Sequence, residues 1–437
     1  MQIKWKALKT FNWNLFFSLC LLALLPAIYQ TIKTYIISTN NATSVFNIIG
    51  QMEWFDLCNE TLQAFLIVPL YAILNKIFSN DKINFAKYTF KTGLIAFVIY
   101  TLFSIAILVY GVVLIKAMNP NEIDIITVKH YLQLETIAFM LHILVSFVNV
   151  VFVVVGKSKN IYIFLSIQIV LAICADFIFI PKFSVYGIAI SNIVVNGVLA
   201  ITSVMLLFIE KLMHFCWYKK QDIIVLKAWG KIGFFSGVQQ FIDNFIYAVM
   251  VVKMVNMVVE QGNYWVANNF IWGWLLIPIT ALAEVIRHDC KNGYTKLQKS
   301  NYYIVVAAII CIWILSIPLW LPFFKDIEKL KNATEIFYIT LQLALFYIAY
   351  CCYTIIDNIF IGLGKTIYTS INSLLVNIGY YGIFYICYKI GIVSMNLKTI
   401  LYMFGFGMIV HLVISLIEAK FFFPWMEERR KKNNYAL

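Results

Sequence analysis

Charge is what this sequence has least of. Only 13% of its 437 residues are Asp, Glu, Lys or Arg, against roughly 25% in a soluble domain, while 62% are hydrophobic. A water-soluble fold is excluded, because so few charges cannot cover that much apolar surface. Histidine is scarce as well. The five residues His130, His142, His214, His288 and His411 are dispersed and form no H-E-x-x-H or comparable catalytic spacing. The nine cysteines include no C-x-x-C pair, and most lie inside apolar runs, where Cys behaves as a small hydrophobe. Neither a disulfide framework nor a metal centre is expected. No G-x-x-x-x-G-K-[ST] loop occurs, so ATP is not the direct source of energy. An enzyme is not expected, nor is a bound cofactor.

Long apolar runs fill the chain instead. A helix needs about 20 apolar residues to cross a bilayer. Runs of that kind lie at 12–38, 53–76, 90–117, 130–155, 160–181, 185–209, 230–257, 264–285, 302–323, 335–361, 367–389 and 399–423. The expectation is an all-α membrane protein with twelve transmembrane helices. The first run lacks a small-residue cleavage site, so it reads as a span rather than a removable signal.

The net charge of +13 invites a nucleic-acid reading, but the Lys and Arg residues sit in short loops between the runs. That placement orients a membrane protein. With the N-terminus inside, 24 of the 34 Lys and Arg fall in inner segments and 8 in outer ones; Lys33 and Lys253 lie within spans. The bias puts both termini in the cytosol of a multi-pass cell-membrane protein. The end Glu427-Glu428-Arg429-Arg430-Lys431-Lys432 reads as a solvated cytosolic tail.

The longest polar break, 211–231, follows six spans. On either side the chain resembles itself. Span four ends Phe152-Val153-Val154-Val155-Gly156-Lys157 and span ten ends Phe360-Ile361-Gly362-Leu363-Gly364-Lys365, each with a Gly closing the helix before a basic turn. Leu25-Pro26-Ala27-Ile28-Tyr29-Gln30 aligns with Phe235-Ser236-Gly237-Val238-Gln239-Gln240 at nearly the same offset. The expected organisation is two pseudo-symmetric six-helix bundles, 1–210 and 232–437, joined by a cytosolic linker at 211–231. In such repeats the substrate site lies near the midplane.

Three stretches carry a family resemblance. They are Cys174-Ala175-Asp176-Phe177-Ile178-Phe179-Ile180 with Tyr186-Gly187-Ile188-Ala189-Ile190-Ser191, Gly233 through Asp243, and Val266-Ala267-Asn268-Asn269. With them the chain resembles the MATE (multidrug and toxic compound extrusion) family, within the superfamily of multidrug, oligosaccharide-lipid and polysaccharide exporters. The resemblance implies export of small organic, often cationic, compounds in exchange for protons or sodium ions. It departs from the family at Asn41, Ala172 and Cys352, which stand where polar or acidic residues of the ion network are usual.

Carboxylates within spans are costly and mark functional sites. Asp243, Asp176 and Asp357 are the candidates for ion coupling. Asp243, Gln240, Gln30, Asn149 (the repeat mate of Asp357) and Trp272 are the candidates for substrate contact, Trp272 through cation–π attraction. Asp357 has an inter-helix hydrogen bond as its other reading. Glu53, Asp56 and Glu60 share a face at the expected start of span two. Lys33 is expected to snorkel outward, and His142 and His411 to pack. Glu135, Glu284 and Glu418 lie in apolar settings without a motif.

The functional expectation is a monomeric secondary active exporter of small organic, cationic or aromatic compounds. Its partners are the substrate, a proton or sodium ion, and the bilayer. A flippase for lipid-linked sugars is the alternative.

Overall fold

In lipid, each backbone N–H and C=O must be satisfied within its own segment, so the apolar runs can only be helices. The computed structural model describes residues 11–40, 43–80, 82–218, 222–290 and 296–434, and all regular elements among them are helical. Asn41 and the first ten residues lie outside the described residues.

Eleven helices are long and apolar enough to cross a membrane: α1 (Trp13–Thr39), α2 (Ser44–Ser79), α3 (Asn84–Met118), α4 (Ile125–Val155), α5 (Lys159–Phe183), α6 (Val185–Ile209), α7 (Ile223–Met257), α9 (Ser300–Ile327), α10 (Ala333–Gly362), α11 (Thr366–Lys389) and α12 (Leu397–Phe423). A twelfth, α8, is a bent pair, Gln261–Leu275 and Ile277–Cys290, that meets at 50°. Each expected run corresponds to one of these elements. The largest correction is α2, which begins nine residues before the expected position 53. Asn47 and Gln51 interrupt the hydropathy there, yet Gln51 is buried and satisfied. Its side chain accepts from Asn119 Nδ2 at 2.8 Å and its carbonyl from Asn256 Nδ2 at 3.2 Å. Glu53, Asp56 and Glu60 therefore lie within α2 rather than at its start.

The chain forms two compact units, Met1–Thr31 with Asn263–Leu437, and Ile32–Gly262. The polar stretch 211–231, expected as the linker between two halves, lies within the second unit, and α7 packs along α2 there. Pro69 has no N–H for the Phe65 carbonyl, and Leu70 donates to Ile67 instead, at 3.0 Å. Donors from α7 bond carbonyls on either side of Phe65. Trp229 Nε1 donates to Leu66 O at 3.0 Å and Ser236 Oγ to Ala64 O at 2.8 Å. Gly233 and Gly237, spaced as small-xxx-small, permit that approach. A Cβ at Gly233 would stand 2.4 Å from the Phe65 carbonyl oxygen.

The start of α7 is tied to α3 by a buried ion pair, Lys91 Nζ to Asp222 Oδ2 at 2.6 Å. The rings of Tyr88 and Tyr218 lie 5.4 and 5.7 Å from the ammonium. Burial, and then the Asp222 charge, push the Tyr218 hydroxyl up to about 12.

The repeat is visible at its two glycine turns. Gly156 (φ 76°) and Gly364 (φ 71°) are left-handed, as only glycine adopts without strain. Lys157 N donates to Phe152 O, and Lys365 N to Phe360 O, both at 2.8 Å. The same six-residue closure thus ends α4 and α10, each within its own unit.

Gly233→Ala should lower thermal stability by about 1–3 kcal/mol, since the Phe65 backbone cannot yield. Gly230→Ala, where a Cβ would meet nothing within 4 Å, should not. Equal melting temperatures for the two variants in detergent would contradict the packing. Burial also pushes the Glu328 carboxyl, just past α9, from its ordinary 4.5 to about 8. A raised value means stability is fully present below pH 4.5 and lost as pH rises through 8. The melting temperature should therefore fall across that window, and Glu328→Gln should flatten the fall.

Candidate functional site

Within the unit Ile32–Gly262, four helices bring ionisable side chains together, and a fifth adds an amide, near the end where α1 and α5 finish and α2, α4 and α6 begin. Lys33 comes from α1, Asp56 from α2, Glu135 from α4, Asp176 from α5, and α6 adds Asn192. Glu135 is buried, and its Oε1 accepts from Asn192 Nδ2 at 2.8 Å. Tyr131, one turn earlier on α4, also hydrogen-bonds to Glu135. Asp176 is completely buried and acts electrostatically on Glu135. Lys33 acts on both Asp56 and Glu135. Lys33, expected to snorkel outward, is half-buried, and these carboxylates offset its charge at less cost than lipid would.

A second set lies deeper along α2 and α7. Asn244 Nδ2 donates to Leu57 O at 2.9 Å and to Thr61 Oγ1 at 3.1 Å, and reaches Glu60 Oε2 at 3.4 Å. Its Oδ1 accepts from Gln240 Nε2 at 3.0 Å. Asp243 is half-buried beside Asn244 on the same helix. Glu53 accepts from Tyr247 Oη at 3.3 Å. Asp56 and Glu60 are exposed on the unit although each lies well inside α2. Carboxylates at that depth are tolerated beside water rather than beside lipid tails.

In the unit holding α8 to α12, Asp357 of α10 is bound by α12. His411 Nε2 lies 2.9 Å from Asp357 Oδ2, and Ser415 Oγ donates to Asp357 Oδ1 at 3.1 Å. Asn372 of α11 donates to Ser415 Oγ at 2.6 Å. The Tyr353 ring stacks on the imidazole with centroids 3.9 Å apart. His411 was expected to pack, and here the structure corrects the sequence: its ring is hydrogen-bonded to a carboxylate as well as stacked. Asp357 makes the inter-helix bonds that were one of its two expected readings. On α10, Tyr347, Tyr350 and Tyr353 extend this face as an aromatic ladder, with successive centroids 5.7 and 5.2 Å apart. Trp272 of α8 joins it, donating to Tyr347 Oη at 2.9 Å and meeting the Tyr350 ring at 5.5 Å. Trp272 is 44% exposed.

Of the remaining expected residues, Gln30 is half-buried on α1 and Asn149 half-buried on α4. Glu284 forms an exposed ion pair with Arg287 at 2.9 Å. At the positions where the family pattern is broken, Ala172 is buried and Cys352 is a half-buried free thiol. Sequence reasoning passed over Glu135, His411 and Asn192 as site residues. An acid or imidazole inside an apolar run was the available signal for the first two. No cluster of His, Cys, Asp or Glu among the described residues could hold a metal ion.

No family model and no curated protein matches the sequence. Solved structures match over nearly the whole chain. A multidrug resistance MATE family transporter of the MOP superfamily, in its inward-facing conformation, superposes with a TM-score of 0.73 at 14% identity, covering 95% of this chain and 97% of that one. The lipid II flippase MurJ in its inward closed conformation gives 0.71 at 12% identity, covering 93% and 87%. A MOP superfamily transporter from Pyrococcus furiosus gives 0.68 at 14% identity, covering 95% and 96%. The fold is therefore the one that MATE transporters share with MOP-superfamily relatives.

The Lys33–Glu135 interaction is open to a double-mutant cycle. Lys33→Met should destabilise the protein by leaving Glu135 and Asp56 uncompensated. Glu135→Gln in the same chain should recover part of the loss, with a coupling of about 1 kcal/mol or more. Strictly additive effects on stability in detergent would contradict it.

Proposed function

We propose that this protein is a secondary active exporter of small organic compounds, cationic or aromatic in character, which exchanges them for protons or sodium ions by alternating access. The observation that supports this most is the combination of a MATE-like fold with carboxylates held inside the spans. Asp176 is fully buried, Asp243 lies midway along α7, and Asp357 is paired to an imidazole within α10 and α12. Asp243 and Asp176 are assigned to ion coupling. Gln240, Asn149, Gln30 and the aromatic ladder beginning at Trp272 are assigned to substrate contact. With both termini in the cytosol, the cluster of Lys33, Asp56, Glu135 and Asp176 lies toward the outer face.

The energy is sufficient. One charge moving through 100 mV yields ~2.3 kcal/mol, enough for roughly a fifty-fold concentration gradient. No part of this scheme requires a cofactor or metal, and the transported ion acts as a co-substrate.

A flippase reading draws on the likeness to MurJ. Recognition of a lipid diphosphate calls for cationic side chains free to meet it. Lys33 is already engaged with Asp56 and Glu135. The carboxylate-rich interior favours an organic cation over a diphosphate.

In cells exporting ethidium, Asp243→Asn should abolish efflux driven by an ion gradient while leaving membrane insertion intact. Undiminished efflux by that variant removes Asp243 from the mechanism. A deletion strain that loses surface glycan while retaining ethidium efflux would support the flippase reading instead.

A further inference from the structure

Glu418 of α12 is a buried carboxylate, 8% exposed, that the proposed coupling residues leave unused. It follows Ser415 by one turn and His411 by two, so the three share one face of the helix. Two turns amount to about 10 Å along the axis. Asp357 and His411 are the charged groups that act on it. Glu418 Oε2 has no hydrogen-bond partner among the described residues. Nearby, Asn372 Oδ1 is equally buried and equally without a donor, although its Nδ2 is bound to Ser415. The cluster thus has two buried acceptors lacking donors, two carboxylates and one imidazole.

The other titratable groups around it do not compensate both acids. α10 presents Tyr350 and Tyr353, and Tyr381 of α11 acts on Tyr353. Tyr368 of α11 lies with its ring 4.2 Å from that of Phe422, one turn beyond Glu418, and Lys365 and Lys420 are exposed. Arg287 of α8 is engaged with Asn358 at 2.5 Å and with Glu284 at 2.9 Å. One imidazole faces two carboxylates. If both acids were ionised, at least one negative charge would stand uncompensated in a low-dielectric interior.

We infer that Glu418 is a proton-binding residue of this unit, with the Asp357–His411 pair setting how tightly the proton is held. The inference rests on the exporter reading and names a coupling site for it. Loading transfers one proton from a hydronium ion to the Glu418 carboxylate: a hydronium O–H bond breaks, leaving water, and the O–H bond of the neutral acid forms. The Asp357–His411 pair stays intact. Protonation turns Glu418 from an acceptor-only group into a donor, the kind of partner that the buried Asn372 Oδ1 lacks. Release returns the carboxylate when water reaches it. Ser415 and Asn372 are positioning residues: they fix the Asp357 carboxylate that Glu418 senses.

Infrared difference spectroscopy of the purified full-length protein in lipid, titrated with pH, tests this without any substrate. The wild type should show a protonated-carboxyl band that disappears on alkalinisation. Glu418→Gln should lose that band, and Glu418→Asp should keep one. His411→Asn should retain the band but move its midpoint by about one pH unit or more. A band unchanged in Glu418→Gln, with the variant folded as judged by its melting temperature, overturns the inference. If Glu418→Gln does not fold, the midpoint in His411→Asn decides, and an unmoved midpoint overturns it. Ethidium transport in liposomes is the second arm. Glu418→Gln should slow pH-driven uptake at least tenfold yet spare ethidium counterflow without a pH gradient. A wild type that moves no ethidium would remove the exporter reading, while the infrared result would still decide whether Glu418 binds a proton.

Discussion

A carboxylate inside a bilayer needs a cation, a hydrogen-bond donor, water or a proton, and this constraint shapes the interior of the protein. Several buried acids within the spans have been given some of these. Glu135 has Asn192, Tyr131 and a share of Lys33. Asp357 has His411 and Ser415. Glu418 has one oxygen with no donor. A purely structural protein would gain by replacing such groups with apolar side chains of similar size. On the proposed function, these acids are groups that change charge during a transport cycle.

The scaffold that holds them follows from the same solvent. Because lipid cannot accept a stray hydrogen bond, the break that Pro69 makes in α2 has to be repaired from inside the protein. Trp229 and Ser236 of α7 bond the carbonyls that flank Phe65, and Gly233 and Gly237 let α7 come close enough. The same contact also places Asn244 against Glu60 and Thr61, which fixes the face of α7 that carries Asp243. A defect in one helix and a site in another are thus products of one packing arrangement.

Much of the fold was legible in the sequence. Twelve apolar runs became eleven spanning helices and one bent pair, and the paired glycines Gly156 and Gly364 close α4 and α10 by the same hydrogen bonds. Single-residue intramembrane acids were legible too, since hydropathy makes each stand out. Partnerships were not. His411 lies 54 positions from Asp357, and Asn192 lies 57 from Glu135. A lone histidine in an apolar run reads as packing until its partner is known. The start of α2 was hidden for a related reason: Asn47 and Gln51 look like a loop, whereas Gln51 is a buried helical residue whose partners come from elsewhere.

On the proposed function, ion movement and substrate movement are coupled through these acids. The direct measurement uses purified protein in liposomes loaded with ethidium, with a pH-sensitive dye inside and sodium present or absent. The account predicts that an imposed proton or sodium gradient drives ethidium against its own gradient, and that an ethidium gradient in turn moves the same ion. Ethidium flux indifferent to both ion gradients would contradict it.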